Sequence, residues 1–384
     1  MIYIHVPFCH RKCTYCAFYS KPVTYSSATA SQRSSSPKLG EEPEMFDNYV
    51  EALLAEMEER KGEQAHPIKT VYFGGGTPSI LPIDQLARIV EGLHRCFDLS
   101  QVEEVTLEAN PEDLTPTYLA SLRTLGVNRL SVGIQSLDDK VLRLLNRRHT
   151  AQQALEAVEN VHRAGFDNIS VDFIYGIKVL KDFKGLEVFR DFVSHVSAYA
   201  LTVEPGTALA VQVEQGRVVL PSDEEVVRQY HALHQQLEES GFRQYEMSNY
   251  ARPGFESKHN SRYWDHTPYL GLGPGAHSFD GFHRRWNISS VEEYCKALKD
   301  FKDTKDFKDL FQEETLTEAD AYNELLMTSL RTVRGLPAAA VQEEQKKQLQ
   351  SFVDCNWLVY RNGFYRPTTE GLLHADGMAA ALFV

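Results

Sequence analysis

Short apolar runs alternate with amphipathic segments through the first half of the chain. Runs rich in β-branched and aromatic residues predict six strands, at residues 2–6, 70–73, 105–108, 129–133, 169–173 and 198–203. Apolar residues at helical spacing predict helices between them, at residues 46–61, 83–97, 115–125, 138–145 and 151–164. This alternation predicts an α/β fold, and six units favour a TIM-like partial (β/α)6 barrel over a flat doubly wound sheet.

The alternation of strands and helices stops after Pro205. Apolar spacing predicts further helices at residues 223–239, 318–332, 337–353 and from about Thr369. Asn362–Gly363 separates two short apolar runs, and this dipeptide is typical of a two-residue β-hairpin turn. Helices combined with one hairpin resemble a winged-helix module, so we predict an α+β fold for this end of the chain.

These changes of pattern predict three parts. Residues 1–205 form the barrel, residues 206–310 extend it, and residues 311–384 form the C-terminal α+β, winged-helix-like domain. Residues 25–44 interrupt the barrel with a Ser-rich stretch that has few apolar side chains. Such a stretch cannot bury enough surface to offset the entropy lost on ordering, so we predict a disordered insertion.

Composition and charge narrow the class of protein. The chain has 384 residues, 42% of them hydrophobic and 24% charged, as in ordinary globular proteins. Its formal net charge of −13 disfavours a nucleic-acid partner, because such proteins usually carry a basic surface. No apolar run is long enough to cross a bilayer, and strand-like residues follow Met1 directly. We expect a cytoplasmic protein, with peripheral membrane association left open.

Three of the six cysteines crowd into the first sixteen residues. Cys9, Cys13 and Cys16 have the spacing C-x3-C-x2-C, which lets three thiolates bind three irons of a cubane cluster. The fourth iron would then be open to a ligand. By spacing alone, unligated thiols or a zinc site completed by His5 or His10 stay as alternatives.

Polar and Gly-rich segments follow successive predicted strands. Residues 73–78 form a Gly-rich loop after the second strand, where backbone amides can approach a ligand closely. Glu108, Gln135 and Asp172 lie at the ends of the third, fourth and fifth strands. Each alone could be a cap, a turn former or a solvated carboxylate. Because strand ends converge on one rim of a barrel, together they indicate a ligand site.

The cysteine spacing after the first strand of such a barrel resembles the radical S-adenosylmethionine (SAM) superfamily. The resemblance implies that Cys9, Cys13 and Cys16 hold a [4Fe–4S] cluster whose open iron binds SAM. It also implies that Tyr15 shields the cluster. The positions that match SAM contacts are Tyr3, Gly75, Gly76, Thr77, Glu108, Gln135, Arg147, Asp172 and Ala200.

Motifs along nearly the whole chain resemble the oxygen-independent coproporphyrinogen III oxidase family, notably residues 126–131, 197–207 and 245–251. Within it, two features resemble the HemW-type heme chaperones. Phe18 stands where the oxidases carry a fourth cysteine, and residues 259–264 match H-N-x-x-Y-W. This resemblance implies heme as a third cofactor, His259 as its contact and heme-acceptor proteins, including respiratory ones, as partners. A homodimer is left open.

Three other functions stay as alternatives. The first is the oxidase reaction, which converts coproporphyrinogen III to protoporphyrinogen IX by oxidative decarboxylation. The second is another radical reaction such as methyl transfer, disfavoured because the sequence has no second cysteine pair. The third is a zinc-binding interaction module. We assign no catalytic residue, because the chaperone branch is expected to lack coproporphyrinogen oxidase activity.

Overall fold

The computed structural model describes residues 1–23, 41–63, 66–180, 183, 185–304 and 310–384. Residues 25–40, which the sequence assigned to a disordered insertion, lie outside the described residues. Residues 41–44 of that prediction instead open the first helix. No helix of the described chain combines the length and apolar character that a membrane span requires.

The strands of the described chain are short, and many belong to one sheet. They are β1 (Ile2–Val6), β2 (Phe8–Cys9), β3 (Lys21–Pro22), β4 (Thr70–Gly75), β5 (Glu104–Ala109), β6 (Arg129–Gln135), β7 (Asn168–Tyr175), β8 (His195–Ala200), β9 (Arg243–Gln244), β10 (Asn249–Ala251), β11 (Leu270–Leu272), β12 (His277–Phe279), β13 (His283–Asn287), β14 (Phe311–Thr315), β15 (Leu336–Pro337), β16 (Leu358–Arg361) and β17 (Phe364–Pro367).

The helices follow the strands along the barrel and dominate the C-terminal part. They are α1 (Glu41–Arg60), α2 (Ile83–Cys96), α3 (Pro116–Thr124), α4 (Asp139–Leu144), α5 (Ala151–Arg163), α6 (Ala208–Glu214), α7 (Asp223–Glu239), α8 (Lys258–Trp264), α9 (Val291–Thr304), α10 (Glu318–Leu330), α11 (Lys346–Asp354), α12 (Thr369–Leu373) and α13 (Ala375–Ala380). Short 3-10 helices lie at Pro78–Ile80, Pro111–Asp113, Leu186–Asp191, Ala338–Ala340 and Glu343–Gln345.

One open sheet has the order β11-β1-β4-β5-β6-β7-β8-β10-β9. Neighbours from β11 to β8 are parallel, while β10 and β9 are antiparallel. The six predicted strands correspond to β1, β4, β5, β6, β7 and β8. The predicted α/β fold with a partial barrel is therefore confirmed. We call the end where β4, β5 and β6 begin (Thr70, Glu104, Arg129) the lower end, and the end where they finish (Gly75, Ala109, Gln135) the upper end.

Two features of this sheet differ from the prediction. The sixth strand runs from His195 to Ala200, not over 198–203. Pairing with β7 and β10 begins at His195, and the last hydrogen bond to β7 is the one that the Leu201 amide donates to Tyr175 O. The seventh parallel strand, β11, was not predicted. It lies in the aromatic stretch after α8 and pairs in parallel with β1, so β1 is not an edge strand of the sheet.

Local sequence explains why the helices form where they do. At the start of α5, Thr150 and Gln153 cap each other's backbone amides, with distances of 3.3 and 2.8 Å. Ala154, Val158 and Val161 then fall on one buried face at helical spacing. The central strand β6 is buried throughout, because helices cover one side of the sheet and the barrel interior lies on the other.

The C-terminal domain has its own apolar core and a three-stranded sheet, β15-β17-β16. The predicted hairpin is confirmed: Asn362 and Gly363 have φ of 52° and 80°, as a type I′ turn requires. The prediction of a helix over residues 337–353 is wrong for the first half of that range. Leu336 and Pro337 pair with β17 instead, and α11 begins only at Lys346. The three-part division of the chain stays a prediction.

Candidate functional site

The cysteine loop, residues 9–16, lies at the upper end and is fixed from two sides. The amide of Thr14 donates to Leu145 O (3.3 Å) and its hydroxyl to Leu144 O (3.0 Å), just after α4. Asn146 Nδ2 donates to Lys12 O at 3.0 Å. On the other side, the amide of Leu209 in α6 donates to Thr14 O at 2.8 Å. The loop is therefore held by hydrogen bonds of Thr14 and Lys12 to neighbouring segments.

The three cysteines are half-buried, and two of them have polar partners. Cys9 Sγ lies 3.3 Å from Thr77 Oγ1, and Arg147 donates to Cys13 Sγ at 3.3 Å. Burial raises the pKa of Cys9 and Cys16, so their thiolates need compensating positive charge. A cluster supplies that charge through iron, and it takes each thiolate on a different iron atom. The donor set fits such a cluster.

No three Cys, His, Asp or Glu side chains of the described residues meet round one point, as ligands of a single metal ion do. Thiolates on a cubane cluster are spread over its corners and need no such point.

Tyr15 lies half-buried within the loop, where burial and then Cys13 raise the pKa of its phenol. Its ring is therefore neutral, and the shielding of the cluster by Tyr15 stays a prediction.

The Gly-rich loop packs directly against the segment that leads to the cysteines. Gly76 donates its amide to Val6 O at 2.8 Å. A Cβ at Gly76 would lie 2.5 Å from Phe8 O, closer than any side chain tolerates. Gly75 has a φ of 110°, which only glycine adopts readily. Glycine is therefore required at both positions, and the loop presents backbone rather than side chains.

Two carboxyl groups face the barrel interior near the upper end. Glu108 accepts from the Tyr72 hydroxyl at 2.6 Å, and Asp172 accepts from the Ser131 hydroxyl at 3.2 Å. Burial raises the pKa of Glu108 to about 7, and Asp172 raises it further against the opposing Tyr72 contact. Burial also raises the pKa of Asp172. A cationic or hydroxyl-bearing ligand would relieve both carboxylates.

Arg147 and Gln135 complete this end of the barrel. Arg147 donates to Gly133 O and to Asn110 Oδ1, both at 2.6 Å. Its Nε is buried without a hydrogen-bond partner among the described residues. A buried donor left in this state suits an anionic group such as a carboxylate. Gln135 ends β6 with a φ of 63°, at the point where the pairing with β7 shifts register.

The remaining predicted SAM contacts flank this group. Tyr3 stacks on Tyr72, with ring centroids 6.1 Å apart, and its hydroxyl lies 3.1 Å from His5 Nδ1. Ala200 ends β8 opposite Tyr175 and is exposed. The structure thus brings predicted contacts near the upper ends of β4, β5, β6, β7 and β8 to one end, while Tyr3 lies near the start of β1. Their contact with SAM stays a prediction, which the orphaned Arg147 donor and the glycine backbone support.

His259 lies at the other end of the barrel. It is fully buried, and its ring nitrogens lie 2.8 Å from Thr70 Oγ1 and 3.1 Å from Tyr263 OH. Its backbone amide donates to Glu104 at 2.9 Å. Burial lowers the pKa of His259 to about 3, so the ring is neutral. Both nitrogens are engaged, and the structure does not bring His259 to the cysteine loop. Its contact with heme stays a prediction.

Sequence reasoning missed three residues of the upper end. Asn110 bonds to both Arg147 and Thr77, Tyr72 holds Glu108, and Asp113 lies 3.3 Å from His10 while accepting from Ser79. Asn110 and Asp113 follow the strand that ends at Glu108, so their position after a strand was the available signal. Tyr72 carried no such signal, because an aromatic residue within a strand normally packs in a core.

Residues 3–191 match the Radical SAM superfamily. The chain is 35% identical to the heme chaperone HemW of Mycobacterium tuberculosis, over 99% of this chain and 94% of that protein. It is 32% identical to the heme chaperone HemW of Bacillus subtilis, over 90% of this chain and 87% of that protein. These similarities extend beyond the barrel and include the C-terminal domain.

A solved structure gives the same architecture. The coproporphyrinogen III oxidase of Escherichia coli, a radical SAM enzyme, superposes with a TM-score of 0.79. The superposition covers 100% of this chain and 89% of that enzyme, at 20% sequence identity. At this sequence identity the likeness concerns the fold alone, and it confirms the predicted α/β fold with a partial barrel.

Proposed function

We propose that this protein, which belongs to the HemW family of the radical SAM superfamily, is a heme chaperone that binds heme and passes it to acceptor proteins. Its superfamily gives it two cofactors, a [4Fe–4S] cluster and SAM. One observation carries the proposal: the similarity to HemW chaperones runs through 99% of this chain, not through the barrel alone. A shared barrel by itself would not separate a chaperone from an enzyme.

The residues at the upper end would hold the two cofactors. Cys9, Cys13 and Cys16 would ligate the cluster, and Arg147 would pair with the carboxylate of SAM through its orphaned donor. Glu108 would accept from an ammonium or a hydroxyl group of the same ligand. When bound, this pair of cofactors supplies one-electron chemistry; the chain itself binds and orients them and excludes water.

Exposed apolar side chains beside the cysteine loop support heme binding. Phe18, two residues beyond Cys16, is 69% exposed, and Val211 is 44% exposed. Val211 belongs to α6, which bonds directly to the loop. The flat, apolar porphyrin ring of heme would pack against these exposed side chains. Phe18 also takes the position at which the oxidases are expected to carry a fourth cysteine.

His259 is our proposed heme contact from the H-N-x-x-Y-W segment. Ligation of iron by this histidine would require one of its hydrogen bonds, to Thr70 or to Tyr263, to open. The proposal therefore includes a local rearrangement of α8 on heme binding. The acceptors would be respiratory proteins reached from the cytoplasm by peripheral membrane association. A homodimer is part of the same proposal.

A heme titration of the anaerobically reconstituted protein tests the function. We expect a saturable Soret band, transfer of the heme to an apo-acceptor and no protoporphyrinogen from coproporphyrinogen III with SAM and a reductant. The exposed His94 provides a control histidine for His259, so His94→Ala should bind heme like the wild type. Absence of saturable heme binding together with formation of protoporphyrinogen would replace the chaperone by the oxidase.

A further inference from the structure

Asn110 joins two side chains that contact different cysteines. Its Nδ2 donates to Thr77 Oγ1 at 3.3 Å, and its Oδ1 accepts from Arg147 at 2.6 Å. Thr77 Oγ1 lies 3.3 Å from Cys9 Sγ, and Arg147 donates to Cys13 Sγ at 3.3 Å. One amide therefore lies at the centre of a chain of hydrogen bonds that runs from Cys9 to Cys13.

The chemistry of the partners fixes the orientation of this amide. Arg147 has only donors, so it must face the carbonyl oxygen of Asn110. The amino group of Asn110 then faces Thr77, whose hydroxyl can accept from it. The Thr77 proton is thereby free to point at Cys9, and the chain of bonds has a consistent direction.

The local backbone shows that Asn110 does not serve its usual structural purpose. It occupies the N-cap position of the 3-10 helix Pro111–Asp113, where an asparagine side chain normally caps a backbone amide. Here the side chain makes no cap hydrogen bond and turns to Thr77 and Arg147 instead. Thr77 is buried and Arg147 is half-buried, so the contacts are partly shielded from water.

We propose that Asn110 is a positioning residue that sets the electronic environment of the cluster and the place of Arg147. It holds the Thr77 hydroxyl against Cys9 and the Arg147 guanidinium between Cys13 and the SAM site. Hydrogen bonds to the sulfur ligands stabilise the more negative, reduced cluster and so raise its reduction potential. Without Asn110, both donors lose their fixed direction, and the potential falls. This inference does not depend on heme.

The test uses the full-length, anaerobically reconstituted protein and the Asn110→Ala variant. The three cysteines stay intact, so iron and sulfide per chain should match the wild type. We expect a lower midpoint potential in an EPR-monitored redox titration and an affinity for SAM about tenfold weaker, typical of a lost supporting contact. The isosteric Asn110→Leu keeps the volume and should shift both quantities in the same direction.

Asn128 provides the matched control. Its side chain also bonds in two directions, to Val105 N and Glu103 O, but at the lower end. Asn128→Ala should leave the potential and the SAM affinity unchanged. A double-mutant cycle with Thr77→Val should give less than the sum of the single shifts, because both changes act on Cys9. Unchanged values in both Asn110 variants, additive shifts, or an equal shift in Asn128→Ala would overturn the proposal.

Discussion

At the lower end of the barrel, two buried histidines bond through both ring nitrogens to hydroxyl groups of the protein. His259 contacts Thr70 and Tyr263, and His195 contacts Ser170 and Tyr245. At the upper end, buried polar atoms lack such partners among the described residues: His5 Nε2 and Arg147 Nε are both orphaned. The lower end has orphaned atoms as well, at Arg129 Nε and Asn168 Oδ1, but both of its histidines are satisfied within the protein.

The two ends differ in the groups that they leave ready for a ligand. A buried group without a hydrogen bond costs about 1–3 kcal/mol, and such atoms occur at both ends. The upper end also has two carboxyl groups with raised pKa values and glycines packed against backbone. We therefore expect changes at the upper end to remove ligands, and changes at the lower end to remove stability.

The largest expected effect is loss of the cluster on replacing Cys13. Cys13→Ala leaves two thiolates, which cannot hold a cubane cluster at three corners. Iron and sulfide per chain should fall to background after anaerobic reconstitution, while the melting transition of the unloaded protein stays near that of the wild type. Cys355→Ala, an exposed cysteine of the C-terminal domain, should keep its full iron content. A normal iron content in Cys13→Ala would contradict the placement of the cluster ligands at the upper end.

His259→Ala should instead act on stability. The change leaves Thr70 and Tyr263 without their buried partner and opens a cavity, at a cost of about 3 kcal/mol. Urea unfolding measures the cost, and iron content should stay normal. A substitution of the exposed His94, His94→Ala, should shift stability by less than about 0.5 kcal/mol. Loss of the cluster in His259→Ala at full stability would contradict the division between the ends.

Gly76→Ala tests the close approach at the upper end. The added Cβ would lie 2.5 Å from Phe8 O, so the Gly-rich loop must shift, at about 1–3 kcal/mol. We expect weaker SAM binding by calorimetry and a lower unfolding midpoint. Gly377 in α13 has open space around it, and Gly377→Ala should stabilise the protein by up to about 1 kcal/mol. Equal behaviour of the two variants would show that the contact is unimportant.

The smallest expected effect is a pH dependence from Glu108. Burial raises the pKa of Glu108 from 4.5 to about 7, so between these values this carboxyl binds more protons in the folded protein than in the unfolded chain. Its contribution to the free energy of unfolding should therefore fall as the pH rises from about 4.5 to about 7. Glu246 contributes in the same direction, because burial raises its pKa to about 7 as well. The buried His5 and His259 contribute in the opposite direction, because burial lowers their pKa values to about 4 and about 3.

Urea midpoints across this pH range measure the effect. Glu108→Gln should remove one contribution that falls with pH, so the slope of the free energy of unfolding against pH should become more positive than in the wild type. Glu103 provides the control, because a hydrogen bond from Lys258 lowers its pKa and moves its titration away from the window. Glu103→Gln should keep the wild-type slope. A slope that Glu108→Gln leaves unchanged would mean that this carboxyl does not titrate as its burial requires.

Much of the barrel could be predicted from periodicity because its parallel strands are continuous apolar runs between amphipathic helices. The strands that the sequence did not predict are those that form by pairing with a strand far away along the chain. Leu270–Leu272 forms β11 only because β1 offers an edge, and Leu336–Pro337 forms β15 only because β17 lies beside it. Such short segments carry too few residues for a periodic signal, so propensity cannot assign them.

The sequence by itself determined the cysteine spacing, the Gly-rich loop, the polar strand ends and the family that these motifs resemble. These are local patterns, and chemistry can be read from their order. Only the tertiary structure decided which polar residues complete one another. Asn110 bonds to residues that are 33 and 37 positions away along the chain. At the lower end, His259 bonds to Thr70, which is 189 positions away. Hydrogen-bond partnership depends on distance in space, and a sequence does not contain that distance.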